Sequence, residues 1–514
     1  MAANILPEGT IADPTDPGTL RPQYPPFTNL GTEFIPMNIL IKSTMVHLPR
    51  SLIRSDPLEY FLIYYTEEVV QSIVGHTNKH YDDSEKPTTR CARANKWFPT
   101  TVPEIYTYLG IRLYMMLHSE NSIEDYWNTS DSTPFHPITH YMSRNRFQQL
   151  HMHFRVGPPD GDIFDRVEPL SEQIKATNKG IWTPGTRVVV DESMIGFTGR
   201  AKEKLTIPNK PTPVGVKAWV IADRGFFCSW IWHKPGIGNG PVGIYTPTAL
   251  GGGKNGKGGN KTAAVVPHLL QSLPKAQYHV YVDNLFTGNK LFEYLRSLGH
   301  GATGTARINS QIAEPLVELK KNDKGKDVLE WGTFTSYTSP SNLVCHMGWK
   351  DNSFVLAQST VWDGKTLIER LRKRPRDIST SAKTAQAPFG GLFEKYMMIP
   401  RVFDEYNHHM GYVDRGDQLI TSNAGLRRFR RGAAPALEHW LFRIVINNSY
   451  MIYNEALPTT KTTKPVSAKG FKMAISQGLL DRFGSQSKKM GIVDIVEVTG
   501  WVLNVELWVQ FPVI

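Results

Sequence analysis

The sequence predicts an α/β fold, with a mixed β-sheet covered by helices and a separate helical part. The first observation is the order of segments from residue 186 onward: strand, strand, strand, helix, strand, helix, strand. This order fits a mixed sheet with helices packed on its faces, as in the RNase H-like fold. The second is the stretch 57–160, where apolar residues recur at helical spacing. An α/β core is therefore expected to follow a helical part.

The helical part is expected to contain three helices. In the segment 101–117, apolar residues recur every three or four positions, and Thr101 with Glu104 predicts a capping box at its start. A second helix is predicted as one element over residues 57–78, and a third begins after the N-cap Ser143. These helices precede the predicted sheet, so we expect them to form a domain of their own.

Acidic residues stand where several predicted core elements begin or end. Asp191 is expected to end a buried strand of three valines and Asp283 to end a second strand, whereas Asp414 and Asp417 open a helix near Gly411. A buried carboxylate is costly unless it binds something, so these acids could converge to hold divalent metal. The alternative is solvated strand ends and, for Asp417, an acid that complements the helix dipole.

Residues 308–400 interrupt the predicted core with further strand-like segments, which predicts an inserted β-rich subdomain. Within it lies a basic run formed by Arg370, Arg372, Lys373, Arg374 and Arg376. This run either contacts DNA, serves as a nuclear address or is a solvated loop.

A second group of arginines follows the helix that Asp414 opens, and its members flank Phe429. They are Arg427, Arg428, Arg430 and Arg431. Arginines bind backbone phosphates, and an aromatic ring among them can pack or stack. We therefore expect a DNA-binding patch here, followed by an amphipathic helix.

The composition narrows the class of protein. A net charge of +11 favours a polyanionic partner, nucleic acid first. The three cysteines lie far apart, which excludes a disulfide framework and a CxxC zinc module and suits a reducing compartment. No segment has the roughly 20 consecutive apolar residues that a membrane helix needs, so no membrane partner is expected.

A glycine-rich segment at 251–257 fits the nucleotide-binding pattern G-x-x-x-x-G-K only in part. Gly258 stands where the pattern has the Ser or Thr whose hydroxyl binds the metal. The sequence therefore favours a flexible surface loop over the phosphate loop of a nucleotidase.

Several motifs, in this order along the chain, resemble those of the piggyBac transposases and their domesticated relatives. The segments VDESMIGFTGR, VDNLFT and YNHHMGYVDRGDQ resemble the three catalytic segments of that family. The segment NKPTPVGVKAWVIADRG is similar to its Lys-Pro-x-x-x-Gly-x-Lys segment, and HTN at 76–78 and EDYW at 124–127 resemble its helical part. The resemblance extends from about residue 58 to 455.

The resemblance implies a DNA transposase with cut-and-paste activity at TTAA sites. On matching positions, Asp191, Asp283 and Asp414 would bind Mg²⁺ or Mn²⁺, with Asp417 as an additional catalytic acid. The expected partners are double-stranded DNA, as transposon ends and TTAA target, and a second copy of the chain. The expected location is the nucleus.

The resemblance also implies a domain order. We expect a disordered or loosely docked tail, a helical dimerisation and DNA-binding domain in two parts, an RNase H-like catalytic core in two parts, a β-rich insertion and a C-terminal tail. The expected order along the chain is the N-terminal tail (1–45), the first helical part (46–180), the first core part (181–307), the insertion (308–400), the second core part (401–425), the second helical part (426–460) and the C-terminal tail (461–514).

Two departures from the family pattern leave two functions open. No cysteine follows Cys345, so the family's cysteine-rich zinc-binding domain, and zinc itself, are not expected. Tyr412 follows Gly411 where the family has Gly-Gly. Four retained acids favour an active DNA strand transferase, whereas the missing zinc module favours a domesticated, catalytically silent protein that binds DNA.

Overall fold

The computed structural model describes most of the chain, which divides into two compact units. The described residues are 33–85, 96–208, 210–236, 239–254, 256, 258–323, 329–376, 385–422, 432–457 and 466–499, the last segment with side chains to residue 484. The core unit comprises the described parts of 1–47 and 178–419, and the helical unit those of 48–177 and 420–514.

A ten-stranded sheet lies at the centre of the core unit. Its strands are β3 (Arg187–Gly196), β4 (Leu205–Thr206), β5 (Val214–Asp223), β6 (Phe226–Lys234), β7 (Gly240–Pro241), β8 (His279–Val282), β9 (Gly301–Thr305), β10 (Phe334–Thr338), β11 (Cys345–Lys350) and β12 (Phe354–Ser359). Two further sheets have two strands each: β1 (Met45–Val46) with β2 (Trp182–Thr183), and β13 (Leu367–Lys373) with β14 (Glu394–Pro400).

The large sheet has the order β10-β11-β12-β9-β8-β3-β5-β6-β7, with β4 paired to β5. The pairs β3–β8 and β8–β9 are parallel, and the other described pairs are antiparallel. The helices of this unit are α6 (Lys261–Ser272), α7 (Asn289–Ser297), α8 (Glu314–Asn322) and α9 (Arg401–His409). The predicted α/β class is confirmed, and the elements predicted from residue 186 occur in the predicted order, with the two-residue strands β4 and β7 in addition.

The β-rich region predicted at 308–400 contains the strands β10 to β14, and three of these strands belong to the large sheet. β10, β11 and β12 extend the large sheet through β12, whose Ala357 pairs with Thr305 of β9. This pairing covers the edge of the parallel part of the sheet, which would otherwise present unpaired backbone groups. The hairpin of β13 and β14 alone forms a separate sheet in the described part of this region.

Two residues of the basic run 370–376 form ion pairs with buried or half-buried acids. Arg370 donates to both carboxylate oxygens of Asp404 at 2.8 Å, and Arg372 to those of Asp351 at 3.0 and 2.8 Å. These bidentate pairs fasten the hairpin to the rest of the unit. These ion pairs give two residues of the basic run a structural role that requires no contact with DNA or with a nuclear import receptor.

The helical unit contains α1 (Pro57–Leu62), α2 (Glu67–Asp82), α3 (Val102–Leu117), α4 (Arg144–His153), α11 (Ala434–Ala456) and α12 (Ala468–Thr499), while α5 (Glu168–Ile181) and α10 (Tyr412–Thr421) cross a unit boundary in the chain. The single helix predicted for 57–78 is two helices, because Thr66 caps α2 by accepting from Val69 N at 3.4 Å. Ser143 caps α4 as predicted, accepting from Arg146 N at 3.3 Å.

The predicted capping box at Thr101 does not form. Thr101 is the N-cap of α3, but its side chain makes no capping hydrogen bond. Glu104 accepts instead from Thr100 Oγ1 at 2.7 Å and from Arg146 Nε at 2.7 Å. The buried arginine offers a stronger, charge-assisted hydrogen bond than the backbone amide would.

The described part of the predicted C-terminal tail contains a helix. α12 packs on α3, where Ser476 Oγ donates to Gly110 O at 2.9 Å and the rings of Tyr106 and Phe483 stack 4.2 Å apart. A Cβ atom at Gly110 would lie 3.0 Å from Leu479 Cβ, so the two helices approach closely at this glycine. Residues 500–514 lie outside the described residues.

The described end of the predicted N-terminal tail is docked on the core unit. Lys42 N donates to Thr186 Oγ1 at 2.7 Å, and Thr44 Oγ1 donates to the buried Asp223 at 2.6 Å. Residues 33–45 are thus held by directional bonds, and residues 1–32 lie outside the described residues. In the described part of the chain, no helix has the length and apolarity needed to cross a membrane.

Candidate active site

Two strands place Asp191 and Asp283 side by side. β3 and β8 are parallel, and their register pairs Val190 with Val282, the residues directly before the two aspartates. Neighbouring strands lie about 4.8 Å apart, so the two side chains start from adjacent positions. Asp191 does not end its strand as predicted, because the second half of β3 continues to Gly196 in pairing with β5.

Burial makes this pair of carboxyl groups hard to ionise. Asp191 is 8% exposed, and burial, then repulsion by Glu192 and Asp283, raises its pKa to about 8. Burial also raises the pKa of Asp283. Neighbouring buried carboxylates are stabilised by a cation or a retained proton, so the pair has the electrostatics of a cation site.

The helix α10 brings the other two acids to the same face of β3. Asp417 Oδ1 accepts a hydrogen bond from Ser193 Oγ at 2.6 Å. Ser193 and Asp191 are two residues apart on a strand, so their side chains project from one face. Asp414 is one helical turn before Asp417 and shares its side of α10. The Ser193–Asp417 bond therefore orients Asp414 towards the Asp191 side of the strand.

A close approach between α10 and the β5–β6 turn supports this placement. A Cβ atom at Gly416 would collide with the Phe227 ring and lie 2.9 Å from Gly225 O, so a side chain at that position would push the helix away. Tyr412, where the family pattern has glycine, is the first residue of α10, and its φ is not positive. The tyrosine therefore fits the local backbone without strain.

A lysine lies among the acids. Lys210 Nζ is 3.0 Å from Glu192 Oε1. Although partial burial acts to lower it, the pKa of Lys210 is raised by this bond and by the charges of Asp191 and Asp414. The side chain is 32% exposed, so its ammonium group is accessible. Asp414 and Asp191 thus both act on one cation, which indicates that the third acid lies near the other two.

Glu192 has a second, more buried cation partner. Lys217 Nζ is 3.7 Å from Glu192 Oε2 and 3.5 Å from the centre of the Trp219 ring. Burial lowers the pKa of Lys217. Glu192 therefore forms ion pairs with two lysines, and this distinguishes it from its neighbour Asp191.

The donor set fits a divalent metal in chemistry more than in present geometry. Among the described residues, no three His, Cys, Asp or Glu side chains are close enough together to hold one ion. The donors at Asp191, Asp283 and Asp414 are carboxylate oxygens, the ligands that Mg²⁺ prefers. Burial raises the pKa of both Asp191 and Asp283, and a nearby cation would favour their charged forms. The assignment of these three residues as metal ligands stays a prediction.

Two residues near the acids were not predicted from the sequence. Arg307 Nε donates to Asn284 Oδ1 at 2.8 Å, and its charge opposes the rise in the pKa of Asp283. Tyr406 has a pKa raised to about 12 by burial and by the charges of Asp283 and Asp191. Tyr406 is the first residue of the motif YNHHMGYVDRGDQ, so its place in that motif could have identified it. Arg307 contacts the motif VDNLFT through Asn284, a contact that only the fold reveals.

The predicted arginine patch cannot be placed relative to these acids. Arg427, Arg428, Arg430 and Arg431 lie outside the described residues. Their role in DNA binding stays a prediction.

Comparisons with known proteins identify relatives over most of the chain. A family model described as Transposase IS4 matches residues 56–450. The human PiggyBac transposable element-derived protein 3 is 26% identical over 441 residues, 83% of this chain and 65% of that protein. The human PiggyBac transposable element-derived protein 2 is 25% identical over 369 residues, 71% of this chain and 56% of that protein. The chain thus spans less than two thirds of these relatives.

A solved structure has the same fold. A piggyBac transposase in a synaptic complex with hairpin DNA aligns with a TM-score of 0.64 and 22% identity, covering 88% of this chain and 86% of that chain. This similarity confirms the predicted fold class.

Proposed function

Because the chain belongs to the piggyBac family of transposases, we propose that it cleaves and joins DNA strands at Asp191, Asp283 and Asp414. The supporting observation is the adjacent pair formed by the buried Asp191 and the half-buried Asp283. The Ser193–Asp417 bond holds α10 on the same side of β3. A structural role would not require acids in a place that disfavours their charge.

The reaction exchanges one bond to phosphorus for another. In cleavage, a water oxygen replaces the 3′-oxygen of the strand, which leaves a 3′-hydroxyl and a 5′-phosphate. In joining, that 3′-hydroxyl replaces a 3′-oxygen of the target strand, so one phosphodiester is exchanged for another. Divalent metal bound to the three aspartates would activate the attacking oxygen and stabilise the leaving oxygen.

The surrounding residues have separate tasks in this proposal. Asp417 holds α10 on β3 through Ser193 and is a positioning residue. Lys210 is accessible and near three acids, so its ammonium would contact the phosphate that undergoes reaction. The TTAA target, the double-stranded DNA partner, the homodimer and the nuclear location follow from the family resemblance and belong to the proposal.

The test is strand cleavage by Asp283→Asn. This substitution keeps the shape of the side chain but removes a charge that a metal site requires. Nicking of a TTAA-flanked duplex in Mg²⁺ should fall by several orders of magnitude, as expected when a catalytic metal is lost. Binding to the same duplex should change little, because lysines and arginines provide most of it.

The matched control is Asp131→Asn, which makes the same change at an exposed aspartate of the helical unit. It should nick at the wild-type rate. Equal nicking by wild type and Asp283→Asn would exclude Asp283 as a metal ligand.

A second function, DNA binding without cleavage, is favoured by the relatives themselves. Both are named as transposable element-derived proteins. The same assay separates the two functions: if the wild type binds the duplex and nicks no substrate in Mg²⁺ or Mn²⁺, the silent DNA-binding protein is the better conclusion.

A further inference from the structure

A polar cavity of about 490 Å³ opens at the N-terminal end of α4 in the helical unit. Lys96, Phe98 and the first turn of α4, from the cap Ser143 through Arg144 to Arg146, contribute to its walls. The first amides of a helix have no acceptor within the helix and carry a partial positive charge. The end of α4 that borders the cavity is therefore electropositive before its side chains are considered.

The side chains of this first turn make the end more positive. Helices usually carry Asp or Glu in the first turn, where they complement the dipole. The first turn of α4 has no acid, and two of its residues are Arg144 and Arg146. Such an arrangement is unfavourable unless negative charge comes from elsewhere.

Glu104 supplies that charge for only one of the two arginines. It accepts from Arg146 Nε at 2.7 Å and also pairs with Arg146 Nη2. Arg146 is 6% exposed, and its guanidinium lies 3.7 Å from the centre of the Phe98 ring. The remaining nitrogen, Nη1, is buried and has no hydrogen-bond partner among the described residues. A buried donor without a partner is costly, and Arg146, which carries this donor, lines the cavity.

Two exposed cations lie at the opening of the cavity. Lys96 and Arg144 are exposed, and within the described part of the chain neither forms an ion pair. Arg146 and Glu104 neutralise each other, so these two charges remain at the opening. The cavity thus combines a helix N-terminus, two accessible cations and an unused buried donor.

We propose that this cavity binds a phosphate group of the DNA backbone. The proposal rests on the DNA-binding function above and names one contact of the helical unit. A phosphodiester carries the negative charge that α4 lacks and several acceptor oxygens for Lys96, Arg144 and the first helix amides that Ser143 does not cap. The volume accommodates the phosphate together with parts of its flanking sugars. Contact with a phosphate positions the duplex without reading its sequence.

The test is the salt dependence of DNA binding by the full chain. Lys96→Gln/Arg144→Gln removes both exposed cations, and among the described residues neither forms an ion pair on which folding would depend. The slope of log K against log salt should become shallower by about one, the change expected when the protein neutralises one phosphate fewer. The effect should be the same on duplexes of different sequence. Thermal melting checks that the variant is folded.

Two controls separate this site from a general loss of charge. Arg50→Gln/Arg54→Gln removes two exposed arginines of the same unit and should change the slope less. Arg144→Lys keeps the charge and should keep most of the wild-type slope. If the test variant has the slope of the wild type, or changes no more than the Arg50/Arg54 control, the proposed phosphate site is wrong.

A separate arm uses inorganic phosphate in place of DNA. If phosphate raises the melting temperature of the wild type and not of the double variant, while both bind DNA with one slope, the cavity takes a free anion and the DNA proposal is overturned. If the wild type binds no duplex at all, the proposed function fails, and the cavity proposal, which rests on it, fails with it.

Discussion

Lys210 is the lysine through which the proposed reaction can be tested at a single residue. It is accessible, bonded to Glu192 and attracted by Asp191 and Asp414. If its ammonium stabilises the reacting phosphate, Lys210→Gln should slow nicking about a hundredfold, the usual cost of removing one transition-state donor. DNA affinity should change little. The control Lys202→Gln, at an exposed lysine between β3 and β4, should nick normally. If Lys210→Gln nicks as fast as this control, the proposed catalytic role of Lys210 is wrong.

His151 gives the helical unit a dependence on acid pH. It is bonded to Tyr108 through Nδ1 at 3.1 Å, and burial, then the charge of Arg112, lowers its pKa from 6.5 to about 4. Between pH 6.5 and pH 4 the unfolded chain binds a proton at His151 that the folded chain does not bind. As far as His151 is concerned, the free energy of unfolding is therefore highest above pH 6.5 and falls as the pH drops towards 4.

The contribution of His151 to the pH dependence of stability is measured by comparing the wild type with His151→Gln. Between pH 7 and 5 the wild type should lose about 2 kcal/mol more of its free energy of unfolding than the variant. Urea unfolding at both pH values, followed by a probe in the helical unit, measures the difference. Parallel pH curves for the two proteins would show that His151 is not the group responsible.

At the level of elements, α3 and α11 are joined by a buried ion pair. Arg112 donates to both oxygens of Glu438, at 2.8 and 3.0 Å, and the two side chains are 3% and 8% exposed. Arg112→Met leaves a buried carboxylate without its partner, which should cost roughly 3–5 kcal/mol. Denaturant unfolding of the helical unit measures the loss.

The double variant Arg112→Met/Glu438→Leu tests the reason for that loss. It replaces both charges by apolar groups, so it should recover most of the lost stability. A double variant as unstable as the single one would indicate that packing, not the unpaired charge, causes the loss.

Elements defined by local sequence could be predicted, and their distant partners could not. Ser143 caps α4 as expected because a cap contacts residues three positions away. The strands β10 to β12 were expected, but their membership of the large sheet depends on Ala357 pairing with Thr305, which no local pattern encodes. The capping box failed for the same reason, since Glu104 pairs with Arg146, 42 residues away.

The candidate site shows the same limit. The sequence correctly predicted that Asp283 follows a strand end and that Asp414 lies at a helix start, whereas Asp191 lies within β3 and not at its end. The bond from Ser193 to Asp417 joins residues 224 positions apart, so its positioning role emerged only with the fold. The role of the three aspartates as metal ligands stays a prediction.

For the whole molecule, the net charge of +11 predicts strong, salt-dependent attraction to DNA. The sequence predicts that part of this attraction comes from Arg427, Arg428, Arg430 and Arg431. Changing all four to alanine should weaken binding and flatten its salt dependence by about 0.9 for each phosphate that the variant no longer neutralises. Changing all four to lysine keeps the charge and serves as the control. An unchanged slope in the alanine variant would mark these arginines as a solvated surface.

The packing of α12 on α3 has a consequence for synthesis of the chain. Ser476 and Gly110, which meet in the finished unit, are 366 residues apart. A ribosome that adds about 5–20 residues per second needs roughly 20 to 70 s to cover that distance. Throughout this interval the nascent α3 exposes the surface around Tyr106 that Phe483 later covers. Ribosome-bound chains halted before residue 466 should therefore recruit chaperones that bind apolar segments, and release them once α12 has emerged.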